Sequence, residues 1–365
     1  MFLRKGTGFL AAVMLFTALI ISFIGGDALS CSRVLSADNG QAVLVGRNLD
    51  WPMDMGTALW VFPRGIKRNG LAGNPLIWTA KYGSVAVASY TPDKKEAGVL
   101  DGMNEKGLVV NALWLDESEY GVRDERIPGL AISLWAQYFL DNFATVEEAV
   151  HSLDKTTYQV ITMAFPTGTS QMTASLHLSF ADKSGDSAII EYSGGKPHIH
   201  HDRNYTIMTN YPPYEQQLEN LKQYEGFGGD KPLPGTIKSE DRFVRAAYYL
   251  KYLPKPKTAR EAIAGMFSVT RNVSQPFRRT GDPKHPNASA TLWRSVADLS
   301  HGTYYFESTT SPNIIWVQLN KFDLKKGSSV MKLDLRNNPD YSGEVTKRFI
   351  KAKPFKFMGP DQSGM

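Results

Sequence analysis

Only one cysteine, Cys31, occurs in the 365 residues, so no disulfide can form within the chain, and a disulfide-stapled scaffold is excluded. Charge of one sign is lacking as well. Lys and Arg number 41 against 36 Asp and Glu, a net +5. The basic residues are dispersed, and without a nucleic-acid-binding motif this mild balance gives no reason to expect a phosphate-binding surface. No internal repeat, charge block or low-complexity linker interrupts the chain, so residues 31–365 are expected to form a single domain. The longest apolar run, Phe9 to Ile24, is about 16 residues, short of the roughly 20 that span a bilayer as a helix.

That run has the layout of an export signal. Arg4 and Lys5 precede it, Gly25-Gly26 ends it, and Ala28 and Ser30 place small residues three and one before Cys31. Residues 1–30 therefore read as a cleaved leader, and the mature protein as exported, periplasmic or secreted, with no stable membrane insertion after cleavage. Removing Arg4, Lys5 and Asp27 with the leader leaves 39 basic against 35 acidic side chains, or +4.

Cleavage there makes Cys31 the first residue, and a thiol with a free α-amine on the same residue is a nucleophile with its own base. Two other fates fit a lone cysteine. It can be a buried core residue. Alternatively, Ala28-Leu29-Ser30-Cys31 can serve as a lipobox whose cysteine is lipidated, which would make the chain a lipid-tethered, non-catalytic binding protein. The following residues bear on the choice. Asp38-Asn39-Gly40 reads as a hairpin turn, and the returning strand, through Ala42-Val43-Leu44-Val45, would bring Arg47 and Asp50 beside Cys31. A guanidinium near sulfur favours thiolate, and a carboxylate can hold the α-ammonium or orient the thiol. An ordinary surface ion pair is the plainer reading of the same two residues.

Several runs resemble the choloylglycine hydrolase family, the N-terminal-nucleophile amidases that include penicillin V acylases and bile salt hydrolases. They are Cys31 with Arg47-Asn48-Leu49-Asp50-Trp51, the run Asp101 to Leu108, His177 to Asp186, Met208-Thr209-Asn210-Tyr211-Pro212, Asp241-Arg242-Phe243, Tyr304 to Ser308 and Asn313 to Val317. The resemblance covers nearly all of residues 31–365 and rests on the order and spacing of the runs.

The resemblance implies an α+β fold, a four-layer αββα sandwich, with no cofactor and no metal. Cys31 would be the nucleophile and its α-amine the base. Asn210 and the backbone N–H of Trp114 would form the oxyanion hole, while Arg47, Asp50 and Arg242 would set charge and geometry. Arg245, one helical turn from Arg242, is the alternative to it. Position 114 is Trp, and with Trp51 it suggests aromatic walls for an acyl group. The implied partner is a small-molecule amide, most closely penicillin V or N-acyl-homoserine lactones, hence quorum quenching. Conjugated bile salts are the alternative. A homotetramer is the implied assembly.

Elsewhere, Ser84 to Ala88, Leu108 to Leu113 and Leu176 to Tyr192, the last broken at Asp182 to Gly185, read as strands. Gly129 to Asp141 and Asp241 to Leu253 read as amphipathic helices, and Thr145 to Glu148 and Thr258 to Glu261 as capping boxes. His198-Ile199-His200-His201 reads as a solvated strand-to-loop segment, since no cysteine or carboxylate spacing accompanies it. The acceptor-like Asn204, Asn272 and Asn287 are incidental in a bacterial exported protein, and the polar turn at 278–283 suggests no function.

Overall fold

A computed structural model describes residues 30–155, 157–167, 170–277, 289–337 and 339–360. The leader segment 1–29, the polar turn 278–283 and Asn287 lie outside the described residues.

Two large sheets carry the architecture. The seven-stranded sheet runs in the order Ile207–Thr209, Ser32–Ser36, Leu44–Trp51, Ala290–Asp298, Thr303–Ser308, Ile314–Gln318 and Gly343–Glu344. The nine-stranded sheet runs Lys196–His201, Ser187–Ser193, Leu176–Ala181, Val109–Trp114, Glu96–Asn104, Ser84–Tyr90, Thr57–Phe62, Met331–Asp334 and Ile350–Lys351. Alternation along each strand decides what lies between them. Val85, Val87, Val109 and Leu113 join Val34, Val45 and Val296 of the other sheet in one core, while their neighbours Ala86, Ala88, Val110 and Ala112 enter a second core.

Helices cover both outer faces. The second core is closed by α1 (Trp135–Asn142) and α2 (Val146–His151), through Trp135, Phe139, Leu140 and Val146. On the other side, α4 (Ser239–Lys251) and α5 (Ala259–Asn272) pack on strands Ser32–Ser36 and Leu44–Trp51, while α3 (Tyr214–Leu221) packs against α4. The result is helix, sheet, sheet, helix, the expected αββα sandwich. Gly46 is required here. A Cβ at that position would lie 2.6 Å from the Met266 sulfur and 2.7 Å from the Thr270 methyl, so a larger residue would force these α5 side chains to give way.

Local chemistry explains several elements. At the first turn, Asn39 Oδ1 accepts from the Gln41 and Ala42 N–H groups at 2.9 and 3.0 Å, and Gly40 supplies the φ of +76°. The Thr145 and Thr258 hydroxyls cap α2 and α5, each accepting an N–H three residues on at 3.2 Å. The expected helix over Gly129 to Asp141 is only partly formed. Gly129–Ala131 is a strand, Ile132–Leu134 a 3-10 turn, and only then does α1 begin. The backbone there is claimed by parallel pairing with Gln159–Ile161 and by bonds from Leu76 N–H to Gly129 O and from Ala131 N–H to Gly70 O, which override the helical spacing.

Candidate active site

Strands Ser32–Ser36 and Leu44–Trp51 pair antiparallel with Arg33 opposite Arg47 and Ser32 opposite Asn48. That register brings Cys31, immediately before the first strand, beside Leu49 and Asp50. Cys31 is 3% exposed, its Sγ is 3.9 Å from the Asp50 carbonyl oxygen, and its N–H donates to Asn210 Oδ1. Asn210 follows strand Ile207–Thr209, which pairs with the other edge of Ser32–Ser36, so one short segment is flanked by both partners. The Asn210 Nδ2 donates to the Trp114 carbonyl at 2.8 Å, tying the site across to the nine-stranded sheet.

Arg242 reaches the same point from α4. Its Nη1 donates to the Cys31 carbonyl and to Ser32 Oγ, both at 2.6 Å, its Nη2 to Asn210 Oδ1 at 3.3 Å and its Nε to Ile237 O at 3.1 Å. Arg245 turns instead to the loop carbonyls of Pro234 and Thr236, which decides between the two arginines.

Charge is arranged less simply than the sequence suggests. The Asp50 carboxylate lies 3.7 Å from Arg242 and accepts from Thr291 Oγ1 at 2.5 Å, while the Asp50 backbone carbonyl is the oxygen that accepts from the Cys31 thiol. Burial pushes Asp50 up to about 6 against the pull of Arg242 and the Thr291 bond. Arg47 donates to Ala112 O at 2.6 Å and lies over the Trp293 ring at 4.9 Å. Its charge does favour thiolate, as expected, but burial outweighs it, and the Cys31 thiol is raised overall. A thiol held protonated needs a base at the moment of attack.

Sequence reasoning missed the carboxylate behind Arg47. Asp101 accepts from Asn111 Nδ2 at 2.7 Å, from the Tyr304 hydroxyl at 2.8 Å and from Ser295 Oγ. Its buried charge links both sheets, and burial raises its pKa while Arg47 draws it down. Asp101 stood in a recognised run, but nothing local marks its partners, which lie up to 203 residues away.

A largely apolar cavity of about 640 Å³, counting its open mouth, adjoins Cys31 and Arg47. Trp51, Trp114, Leu49, Met55, Leu100 and Met163 line it. The Trp51 and Trp114 rings are 5.5 Å apart and tilted by 57°, so the two tryptophans do form a wall. Trp114 Nε1 donates to the Asp116 carboxylate, which fixes that ring's polar edge.

The histidine run lies apart from this cavity, on strand Lys196–His201. The fold does supply carboxylates that the sequence spacing lacks. His201 is 2.9 Å from Asp186 with Glu147 nearby, and half-buried His200 faces Glu191 at 3.4 Å. The Glu147, Asp186 and His201 group could ligate a cation by donor type, but its partial exposure and the His201–Asp186 pairing suit an ordinary surface ion pair equally well.

The chain is similar to proteins of known activity. The linear amide C–N hydrolases of the choloylglycine hydrolase family match residues 31–340, a span that starts at Cys31. A penicillin V acylase of Pectobacterium atrosepticum is 44% identical over 352 residues, covering 91% of this chain and 93% of that protein. A bile salt hydrolase/transferase of Bifidobacterium longum is 24% identical over 326 residues, covering 80% and 96%. Among solved structures, penicillin V acylase from Agrobacterium tumefaciens superposes with a TM-score of 0.79 at 46% identity, over 90% of this chain and 99% of that one. A conjugated bile acid hydrolase from Clostridium perfringens shares the fold at a TM-score of 0.69 and 22% identity, over 83% and 96%. Sandwich, site and relatives together define a hydrolase acting on linear amide C–N bonds. The chain belongs to the choloylglycine hydrolase family.

Proposed function

We propose that the chain is an exported amidase whose nucleophile is the Cys31 thiol, freed at the mature N-terminus, and whose substrates are penicillin V, N-acyl-homoserine lactones or both. The observation that carries this reading is that Cys31, whose nitrogen is bonded to Asn210, meets the Trp51–Trp114 wall at one apolar cavity.

The α-amine, a group whose neutral form is a base, takes the thiol proton as sulfur attacks the amide carbon. The oxyanion is received by Asn210 Nδ2 and the Trp114 N–H. The ammonium then protonates the leaving amine, giving a thioester and a free amine. Water, deprotonated by the same α-amine, hydrolyses the thioester to the carboxylic acid and regenerates the thiol. The bond from the Cys31 nitrogen to Asn210 Oδ1 supports a further duty for Asn210, aiming the amine so that its lone pair faces sulfur. Arg242 holds the Cys31 carbonyl, and Asp50 and Arg47 set the field. The apolar lining suits an aromatic or aliphatic acyl group better than a hydroxylated steroid. The assembly is taken as a homotetramer, which light scattering checks.

The test combines N-terminal sequencing and intact mass with turnover. The mature chain should begin at unmodified Cys31 and hydrolyse penicillin V faster than glycine- or taurine-conjugated bile salts, and Cys31→Ala should be inactive. A lipidated Cys31, or turnover that survives Cys31→Ala, would overturn the proposal.

A further inference from the structure

Strand Ala290–Asp298 does not pair evenly with Leu44–Trp51. Trp293 sits opposite Leu49, yet Asp50 is met by Thr291, because Leu292 is an extra residue in the ladder. An even register would place the Leu292 side chain against Asp50. The bulge substitutes a hydroxyl, a way in which bulges beside active sites re-aim a side chain.

The threonine hydroxyl is held from two sides. The Gln275 N–H gives a hydrogen bond to Thr291 Oγ1 at 2.8 Å, and the hydroxyl, 2.5 Å from Asp50 Oδ1, donates its proton to that oxygen when Asp50 is ionised, since a carboxylate can only accept. Gln275 is itself held, its Nε2 donating to Ile237 O at 3.1 Å, the carbonyl that also receives Arg242 Nε. Asp50 Oδ2 accepts no hydrogen bond among the described residues, so Thr291 supplies the carboxylate's hydrogen bond while Arg242, at 3.7 Å, supplies charge. Thr291 and Asp50 are both at least 97% buried.

We propose that Thr291 is a positioning residue for the amidase reaction, favouring the ionised Asp50 carboxylate and turning it beside Cys31 through a hydroxyl that the bulge sets against it and Gln275 holds in place. The proposal rests on the reading of Cys31 and Asp50 as parts of one reactive site. A hydrogen bond given to the charged form favours that form. Asp50 is faced by Arg242 from α4, Arg294 from the bulged strand, Arg47 from its own strand and the Cys31 thiol. Burial opposes all three arginines, which leaves the carboxylate near 6 and sensitive to the loss of one donor.

The experiment is the pH profile of kcat/KM on penicillin V for the wild-type mature enzyme, Thr291→Val and Thr291→Ser, with circular dichroism and thermal melting as controls for folding. Thr291→Val keeps the shape and removes the donor. It should move the acid limb upward by about 1 to 2 pH units, the equivalent of one hydrogen bond to a charged group, and lower kcat with little change in KM, since Thr291 does not line the acyl cavity. Thr291→Ser, which keeps the hydroxyl, should restore the wild-type limb. If Thr291→Val fails to fold, Thr291→Ala carries the same expectation. A folded Val or Ala variant with an unmoved acid limb would overturn the proposal, as would a Ser variant shifted like Val. Failure of the underlying reading is distinct, since the wild type would then not hydrolyse the amide, or Cys31→Ala would.

Discussion

Replacing Arg242 by Met removes the cation that holds the site while roughly preserving its volume. Arg242 and Asp50 are both fully buried, and their 3.7 Å pairing is accompanied by the two 2.6 Å bonds to Cys31 O and Ser32 Oγ. Removing one partner of a buried ion pair costs about 3–5 kcal/mol, because the other charge is left uncompensated. The cost should depend on pH, and the sign follows from Asp50. Its native-state value of about 6 lies above its ordinary 3.8, so its contribution to stability is fully present below the ordinary value and is lost as pH rises through the native one. Without Arg242, whose charge pulls Asp50 down, the native value climbs further, and the loss at alkaline pH deepens. Urea unfolding should therefore show the whole about 3–5 kcal/mol deficit at pH 8. At pH 5, where Asp50 is protonated in the native state, about 1–3 kcal/mol should remain from the buried carbonyl left without its donor. Adding Asp50→Asn to Arg242→Met should recover part of the deficit at pH 8. A deficit below about 1 kcal/mol, or one equal at both pH values and untouched by Asp50→Asn, would refute the reasoning.

Two further substitutions separate chemistry from packing. Asn210→Ala should lower kcat by about 100- to 1000-fold, the usual cost of an oxyanion donor, and should also destabilise the fold by about 1–3 kcal/mol, because it orphans the Trp114 carbonyl; paired kinetics and denaturation check both. Trp114→Ala removes one side of the aromatic wall and should raise KM for the phenoxyacetyl substrate more than it lowers kcat. Equal losses in kcat and kcat/KM would place Trp114 outside ground-state binding.

How much of this was written in the sequence depends on distance along the chain. The hairpin that carries Arg47 and Asp50 back to Cys31 is local, and Asp38-Asn39-Gly40 announces it through turn chemistry visible in three residues. The threonine caps are legible for the same reason. Arg242 and Asn210 were found only because the order of several runs resembled a family, since no spacing rule connects them with a residue some 180 to 210 positions earlier. Thr291 left no such trace. Its place opposite Asp50 depends on a one-residue bulge, and a strand's sequence does not reveal which residue its ladder will skip. Asp101 and the carboxylates beside His201 were hidden likewise, because sheet pairing, not local pattern, brought them to their partners. At Gly129 to Ala131, apolar spacing suggested a helix where competing backbone partners made a strand.

Whether the sulfur of Cys31 carries the acyl group can be read from intact-mass and peptide-mapping analysis of mature protein quenched in acid during turnover of penicillin V. The mature chain should begin at Cys31 and gain one phenoxyacetyl group on the Cys31 sulfur, lost on treatment with hydroxylamine and absent from Cys31→Ala. An acyl group found on another residue, or turnover by a chain whose Cys31 amine is still blocked by the leader or whose sulfur carries a lipid, would contradict this reading.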